Sequence, residues 1–246
     1  MKQAFYAFCM CQSMFCAIPF PCHVWEDRER SRMLLFLPVI GLEIGAVWAA
    51  GGWLCRYLGL APMVTALVLT VLPYLLSGFI HLDGFMDVTD AVGSCRDLEK
   101  RRAILKDSHV GSFAVIGVVL LMLSMFALFS SVKPETGLFP LVLAPCISRT
   151  TAGLGVLILP KMNTSQYHDQ VIQKSQVIFM SLVLLAALAL DVLIFGMAGL
   201  SGFACAAAAA LSIRKGYRSL EGMNGDISGY SITLGELAAA AVLALC

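Results

Sequence analysis

The chain has 246 residues, of which 59% are hydrophobic and only 13% charged, with a formal net charge of +1. A mean hydropathy of +0.84 excludes an ordinary soluble domain, and basic residues scattered over several loops without an aromatic platform exclude a nucleic-acid binder. The composition predicts an all-α, polytopic transmembrane helical bundle folded as one integral membrane domain over 1–246, without internal repeat or linker.

The N-terminal stretch "MKQAFYAFCMCQSMFCAIPFP" carries one basic residue, two prolines and no clear small-residue cleavage site. It reads as an apolar segment, about 1–30, lying at the membrane interface rather than as a signal peptide. Cys9, Cys11, Cys16 and Cys22 lack the paired CxxC spacing of a zinc site and read as reduced apolar fillers. Runs able to cross roughly 30 Å of hydrocarbon fall at about 33–53, 60–80, 111–132, 137–160 and 177–197, followed by shorter candidates at about 198–213 and 230–246.

Basic residues in short loops stay on the cytoplasmic side. Arg28, Arg30 and Arg32 precede the first run, and Arg96, Lys100, Arg101, Arg102 and Lys106 follow the second. Lys161 and Lys174 follow the fourth, and Arg214, Lys215 and Arg218 the sixth, whereas the opposite gaps hold only Arg56 and Lys133. This alternation predicts about seven crossings with the N-terminus cytoplasmic, or six if 198–213 does not cross. It also makes 81–110 a cytoplasmic loop.

That loop opens with "HLDGFMDVTDAVGSCRD". Asp83, Asp87 and Asp90 stand at i, i+4 and i+7, within about 60° of one helical face. A solvated helix end would tolerate them, but the intervening Phe85, Met86 and Val88 are apolar, so the face turns toward the bundle or the interface and its repulsion calls for a counter-charge. A hard divalent cation such as Mg²⁺ supplies it, and Mg²⁺ completes its octahedron with water and substrate phosphates. The same loop offers phosphate ligands: Arg96 beside Asp97, Lys100 with Arg101, and Lys106 and Ser108 ahead of the third run. Topology alone would also place these cations there.

A second polar cluster, "EGMNGDISGYS", lies on the same side by topology, with Asn224 and Asp226 at its tip. Glu43, Arg149, Asp191 and Glu236 fall within runs, where each ionisable group needs a partner or water. Arg149 suits phosphate recognition; Asp191 is either its structural partner or a neutral acid. His81 and His109 read as helix-end polar residues first and substrate contacts second.

Residues 77–123, with "HLDGFMDVTD", the Arg96–Asp97 pair and "KDSHVGSF", resemble the signature of the cobalamin 5'-phosphate synthases, also called adenosylcobinamide-GDP ribazoletransferases. "FLPVIGLEIG", "SRTTAGLG" and "GMNGDISGYSITLGEL" are similar to three further segments of that family, so the likeness spans most of the chain. Ala91 replaces the family's usual glycine, and Glu43 an apolar residue, which leaves Glu43 outside the expected site. The resemblance implies that α-ribazole or its 5'-phosphate attacks the phosphoryl group of adenosylcobinamide-GDP and displaces GMP. It implies Mg²⁺ on Asp83 and Asp87, with Asp90 either a third ligand or the catalytic base, and Lys106 stabilising the leaving group. Arg96, Asp97, Lys106, Asp107 and Ser108 would hold the diphosphate or guanine nucleotide, Arg149 would add a buried fork of donors, and Asn224 with Asp226 would close the site. The implied setting is the inner membrane of a prokaryote, with the bilayer, a second copy of the chain or other late enzymes of the pathway as partners.

Two rivals are weighed. A CDP-alcohol phosphotransferase of phospholipid synthesis also uses membrane-edge aspartates, but its D-G-x-x-A-R order is missing: Asp83-Gly84 runs on into "FMDVTDAVG". An ion-coupled transporter would explain the intramembrane charges, yet repeated halves are not seen.

Overall fold

A computed structural model describes residues 2–246, which form helices joined by short turns. In chain order these are α1 (Lys2–Phe15), the short α2 (Arg30–Met33), α3 (Leu37–Tyr57), α4 (Pro62–Leu76), α5 (Ile80–Gly93), α6 (Leu98–Ile104), α7 (Ser112–Ser131), α8 (Ala144–Ile158), α9 (Lys174–Phe195), α10 (Leu200–Leu220) and α11 (Gly225–Leu245). The only pairing of β type among the described residues is one isolated bridge, Lys161 to Met223.

Helix α8 is the hub. It touches α3, α9, α10 and α11, and apart from Leu154 and Ile158 all its residues are buried. Two glycines of α3 make the approach possible: a Cβ on Gly41 would sit 2.5 Å from the Pro145 carbonyl oxygen, and one on Gly45 would strike the Val142 carbonyl. Small residues four apart let two backbones close in this way. By contrast, α7 and α9 present Val119, Leu120 and Leu123, and Leu182 and Leu185, to the outside. In a bilayer those faces meet lipid.

By length and hydropathy, five helical stretches can cross a membrane, or six with one bent pair counted as a span, against the seven expected. One of the five, Lys174–Leu220, is 47 residues long, about 70 Å if straight. It is not straight. Gly196 adopts φ +59°, and the two limbs run oppositely along α8: Gly153 faces Met180 while Ala187 packs with Ile147, whereas Gly155 faces Ile213 and Ile147 faces Gly202. The alanine-rich α10 is thus the returning arm of a hairpin with α9. Asp191 fastens its tip by accepting the Gly202 amide at 3.0 Å.

The bent pair matters most for the site. Sequence reading places a continuous run at 60–80 with the aspartates just beyond it. Instead α4 is only about 22 Å long and ends at Leu76, after which Gly78 and Phe79 take left-handed conformations (φ 60° and 63°) and α5 leaves at 93° to α4. Gly78 adopts this geometry at no steric cost, and Phe79 bears about 1–2 kcal/mol. The turn brings α5 back against α7 and α11.

The N-terminal helix α1 is packed on α2 and α3 through Met10 and Cys11. Gln12 Nε2 donates to Glu43 Oε1 at 3.1 Å, which explains a carboxylate where an apolar residue was expected. The nine cysteines are all free, with Cys9, Cys11 and Cys16 buried, consistent with their role as apolar fillers.

Candidate active site

The crossing of α5 and α11 assembles the acidic site. At Gly84 an added Cβ would lie 2.9 Å from the Asp226 main chain, and at Gly229 it would lie 2.8 Å from the His81 carbonyl oxygen. Backbone therefore meets backbone at both points. As a result Asp83 and Asp87, about 5–6 Å apart as i, i+4 neighbours, face Asp226 across the crossing. The charges acting on Asp87 are those of Asp83, Asp226 and Asp90, in that order. Two motifs separated by more than 130 residues thus share one site, as the topological reading required.

Helix α11 begins at this point because Asn224 caps it: its Oδ1 accepts the Ile227 amide at 3.0 Å, satisfying a first-turn donor. Its Nδ2 donates to Asp226 Oδ2 at 2.6 Å and fixes that carboxylate. Asp90 points elsewhere. Its Oδ1 accepts the Ala114 amide at 3.4 Å, and a Cβ on Gly111 would collide with its carboxylate, so Asp90 holds the N-terminus of α7. Anions are favoured there by the helix dipole.

Among the described residues, no three His, Cys, Asp or Glu side chains converge closely enough to enclose a metal ion by themselves. The donor set still fits Mg²⁺, which is commonly bound by one or two carboxylates while water and phosphate fill the remaining positions. Asp83, exposed, and Asp87, half-buried, form such a pair.

Helix α6 and the loop after it carry the basic residues. Asp97 caps α6 by accepting the Lys100 amide at 3.0 Å, which holds its carboxyl below the usual carboxylate range, aided by the Lys100 ammonium. Arg101 Nη1 donates to the Ser219 carbonyl at 3.3 Å, and Arg102 donates to those of Leu220 and Glu221 at 2.9 and 2.8 Å. These two arginines therefore close the C-terminus of α10. Lys106 lines a basic pocket of about 250 Å³ with Arg102, Lys161, Asn163 and Thr164. Partial burial lowers the Lys161 ammonium below its ordinary value. Asp107 accepts from His109 Nδ1 at 2.6 Å and from its amide at 3.0 Å, which depresses the carboxyl and raises the imidazole. Arg96 and Ser108 are exposed.

The structure gives Arg149 a different partner from the one considered. Its Nη1 lies 2.6 Å from Glu236 Oε1, Ser148 Oγ donates to the same oxygen at 3.0 Å, and Nη2 lies 3.4 Å from His81 Nδ1. Asp191 is tied to Gly202 instead. Arg149 is thus a buried, neutralised strut behind His81 rather than an open fork.

A largely apolar pocket of about 150 Å³ opens beside the carboxylates, with Asp83 and Asp226 among its lining residues. Phe15, Tyr167 and Gln166 contribute to it from α1 and the 159–173 loop. Sequence reading overlooked these residues and counted Lys161 only as a loop charge. The loop is held in place by backbone pairing with the 221–226 turn, Met162 donating to Met223 at 3.0 Å and Met223 to Pro160 at 2.9 Å. That pairing has no sequence signal. The 221–226 turn contributes to both pockets, Glu221 to the basic one and Gly225 with Asp226 to the apolar one, and five residues of chain reach at most about 18 Å.

Comparisons with known proteins identify the family. The family model described as Cobalamin-5-phosphate synthase matches residues 7–244. A protein of Clostridium botulinum (strain Alaska E43 / Type E3) named adenosylcobinamide-GDP ribazoletransferase is 33% identical over 246 residues, covering 96% of each chain. One of the same name from Clostridium perfringens (strain SM101 / Type A) is 35% identical over 248 residues, again at 96% of each, and one from Clostridioides difficile (strain 630) is 25% identical. No solved structure matches the chain. With a family model covering nearly its whole length and relatives above 30% identity, the chain belongs to the cobalamin-5-phosphate synthase family.

Proposed function

We infer that this protein transfers the adenosylcobinamide phosphoryl group from adenosylcobinamide-GDP to α-ribazole or its 5'-phosphate, releasing GMP, in the nucleotide-loop assembly of cobalamin biosynthesis. The reading rests on the family match and on one structural observation: Asp83 and Asp87 of α5 face Asp226 of α11 beside two pockets of opposite character. The CDP-alcohol and transporter readings find no such support.

A hydroxyl of the acceptor ribose attacks the phosphorus that carries adenosylcobinamide, the bond to the bridging oxygen breaks, and GMP leaves with that oxygen. Positioning and charge neutralisation dominate such a displacement. Asp83 and Asp87 are the residues that would hold Mg²⁺, which when bound supplies charge neutralisation at the diphosphate. Asp226, steadied at Oδ2 by Asn224, takes the hydroxyl proton at Oδ1; Asp90, the choice made from sequence, is engaged with α7. Lys106 and Lys161 on the wall of the basic pocket receive the guanine nucleotide's phosphates, and Arg96, Asp97, Asp107 and Ser108 lie on the loop that leads to them. Arg149 acts by holding His81 and α11.

We place the chain in the inner membrane of a prokaryote with seven crossings, α9 and α10 counted separately, and the carboxylates on the cytoplasmic side, as the Lys and Arg distribution requires. The test is GMP release by the purified protein in detergent, with and without Mg²⁺. Asp83→Asn is expected to abolish it while leaving membrane insertion intact; turnover near the wild-type rate would remove the metal assignment, and consumption of CDP-diacylglycerol instead would remove the reaction.

A further inference from the structure

The transfer reaction needs two substrates of very different chemistry, and the apolar pocket has features that distinguish between them. Its wall is formed by Phe15, His81, Val156 and Tyr167, and its rim by Asp83 and Asp226. The Phe15 and His81 rings stack nearly parallel, 5.9 Å between centroids and 7° between planes.

Two polar atoms of this wall, His81 Nε2 and Tyr167 Oη, are buried without a hydrogen-bond partner, although almost all buried polar groups in native proteins have one. The state of the imidazole follows from its other nitrogen. Arg149 Nη2, which can only donate, lies 3.4 Å from His81 Nδ1, so Nδ1 accepts and the proton resides on Nε2. The lining therefore holds an unpaired imidazole N–H and phenol hydroxyl beside aromatic and aliphatic side chains, with Gln166, Ser228 and the two carboxylates as its other polar members.

A flat aromatic heterocycle with one or two ring nitrogens matches that inventory. Guanine matches it less well: the Leu34, Leu37, Ala152, Val156 and Ile232 side of the lining would leave donors and acceptors of the base unpaired, and the basic partners for its phosphates lie in the other pocket. The corrin ring does not fit: a cavity of about 150 Å³ is smaller than the usual range for a drug-sized ligand, about 300–1,000 Å³, and has room for a single flat base but not for a substituted corrin with its nucleotide arm. We propose, resting on the transfer reaction above, that this pocket is the acceptor subsite: the aromatic base of the ribazole lies between Val156 and the Phe15–His81 pair, its ring nitrogen accepting from Tyr167 Oη. The ribose is then at the rim, where its hydroxyls meet Asp83 and Asp226. This geometry delivers the attacking hydroxyl to the carboxylate assigned to take its proton, and leaves the basic pocket for the donor's nucleotide.

The experiment uses the full chain in detergent. Equilibrium dialysis with radiolabelled α-ribazole and no donor measures acceptor binding alone, and steady-state kinetics measure KM for each substrate separately. Tyr167→Phe, which removes one hydroxyl, is expected to weaken acceptor binding and raise acceptor KM roughly five- to tenfold, with donor KM within about twofold of wild type. Val156→Phe, which fills the pocket, is expected to abolish acceptor binding. Should Val156→Phe fail to fold, Tyr167→Phe decides the matter. Unchanged acceptor binding in Tyr167→Phe, or a rise in donor KM alone, overturns the subsite. So does a wild-type protein that turns over yet shows its ribazole displaced by phospholipid without loss of rate. Wild-type protein that binds ribazole but releases no GMP overturns the reaction while keeping the pocket.

Discussion

Two groups of buried or half-buried charge lie close together in this bundle and follow opposite rules. Behind His81, Arg149 and Glu236 sit almost wholly buried with opposite signs, 2.6 Å apart, and Ser148 adds a second hydrogen bond to the carboxylate. At the crossing of α5 and α11, Asp83, Asp87 and Asp226 gather with the same sign. The first arrangement is complete within the chain. The second is complete only when something cationic joins it, so the difference separates charge that maintains the fold from charge reserved for a ligand.

The contrast can be broken most severely at Glu236. Glu236→Gln leaves the Arg149 cation buried without its counter-charge and is expected to destabilise the bundle by about 3–5 kcal/mol, read as a lowered midpoint in denaturant titration in detergent. Replacing both partners with methionine is expected to recover most of that loss. Asp87→Asn should do the reverse: GMP release falls about 10²- to 10³-fold, while the thermal midpoint holds steady or rises because like-charge repulsion is relieved. A fall in stability comparable with that of Glu236→Gln would mean the aspartates are structural after all.

A smaller effect is expected at Asn224, which serves both rules by capping α11 and steadying Asp226. Asn224→Ala is expected to cost about 1 kcal/mol of stability together with a drop in turnover. The smallest concerns pH. His109 is raised above its ordinary value of 6.5 by Asp107, and Asp107 is held below 3.8 by His109. The pairing is therefore complete between about pH 4 and 6.5, fades on the alkaline side as pH rises through the elevated imidazole value, and fades in acid as pH falls through the depressed carboxyl value. Amide protection at 107–111, taken relative to the intrinsic base-catalysed exchange rate at each pH, should be lower at pH 8 than at pH 5.5, and His109→Ala should remove the difference.

How far these features were readable beforehand depends on the range of the interaction behind them. The i, i+4, i+7 spacing of the aspartates is local and survives intact in α5. The bend at Gly78 and Phe79 was missed because hydropathy stays high across it and one glycine in an apolar run has many explanations. Arg149 was read as a fork of donors for phosphate with Asp191 as its possible partner, but Asp191 and Glu236 were equally available in the sequence, and only the packing of α8 on α11 selects Glu236. Arg101 and Arg102 fit the charge-topology rule, with Arg101 also read as a phosphate ligand beside Lys100, whereas both bind the carbonyl end of α10. Phe15, Lys161 and Tyr167 gain their positions from contacts made far along the chain, and no local pattern marks them.

At Gly84 and Gly229 the helices bearing the two halves of the acidic site touch through main-chain atoms. The spacing of the two backbones is consequently set by main-chain contact, not by intervening side chains that repack on warming or with bilayer thickness. Surrounding lipid-facing helices can flex and repack while the jaws of the site keep their calibration.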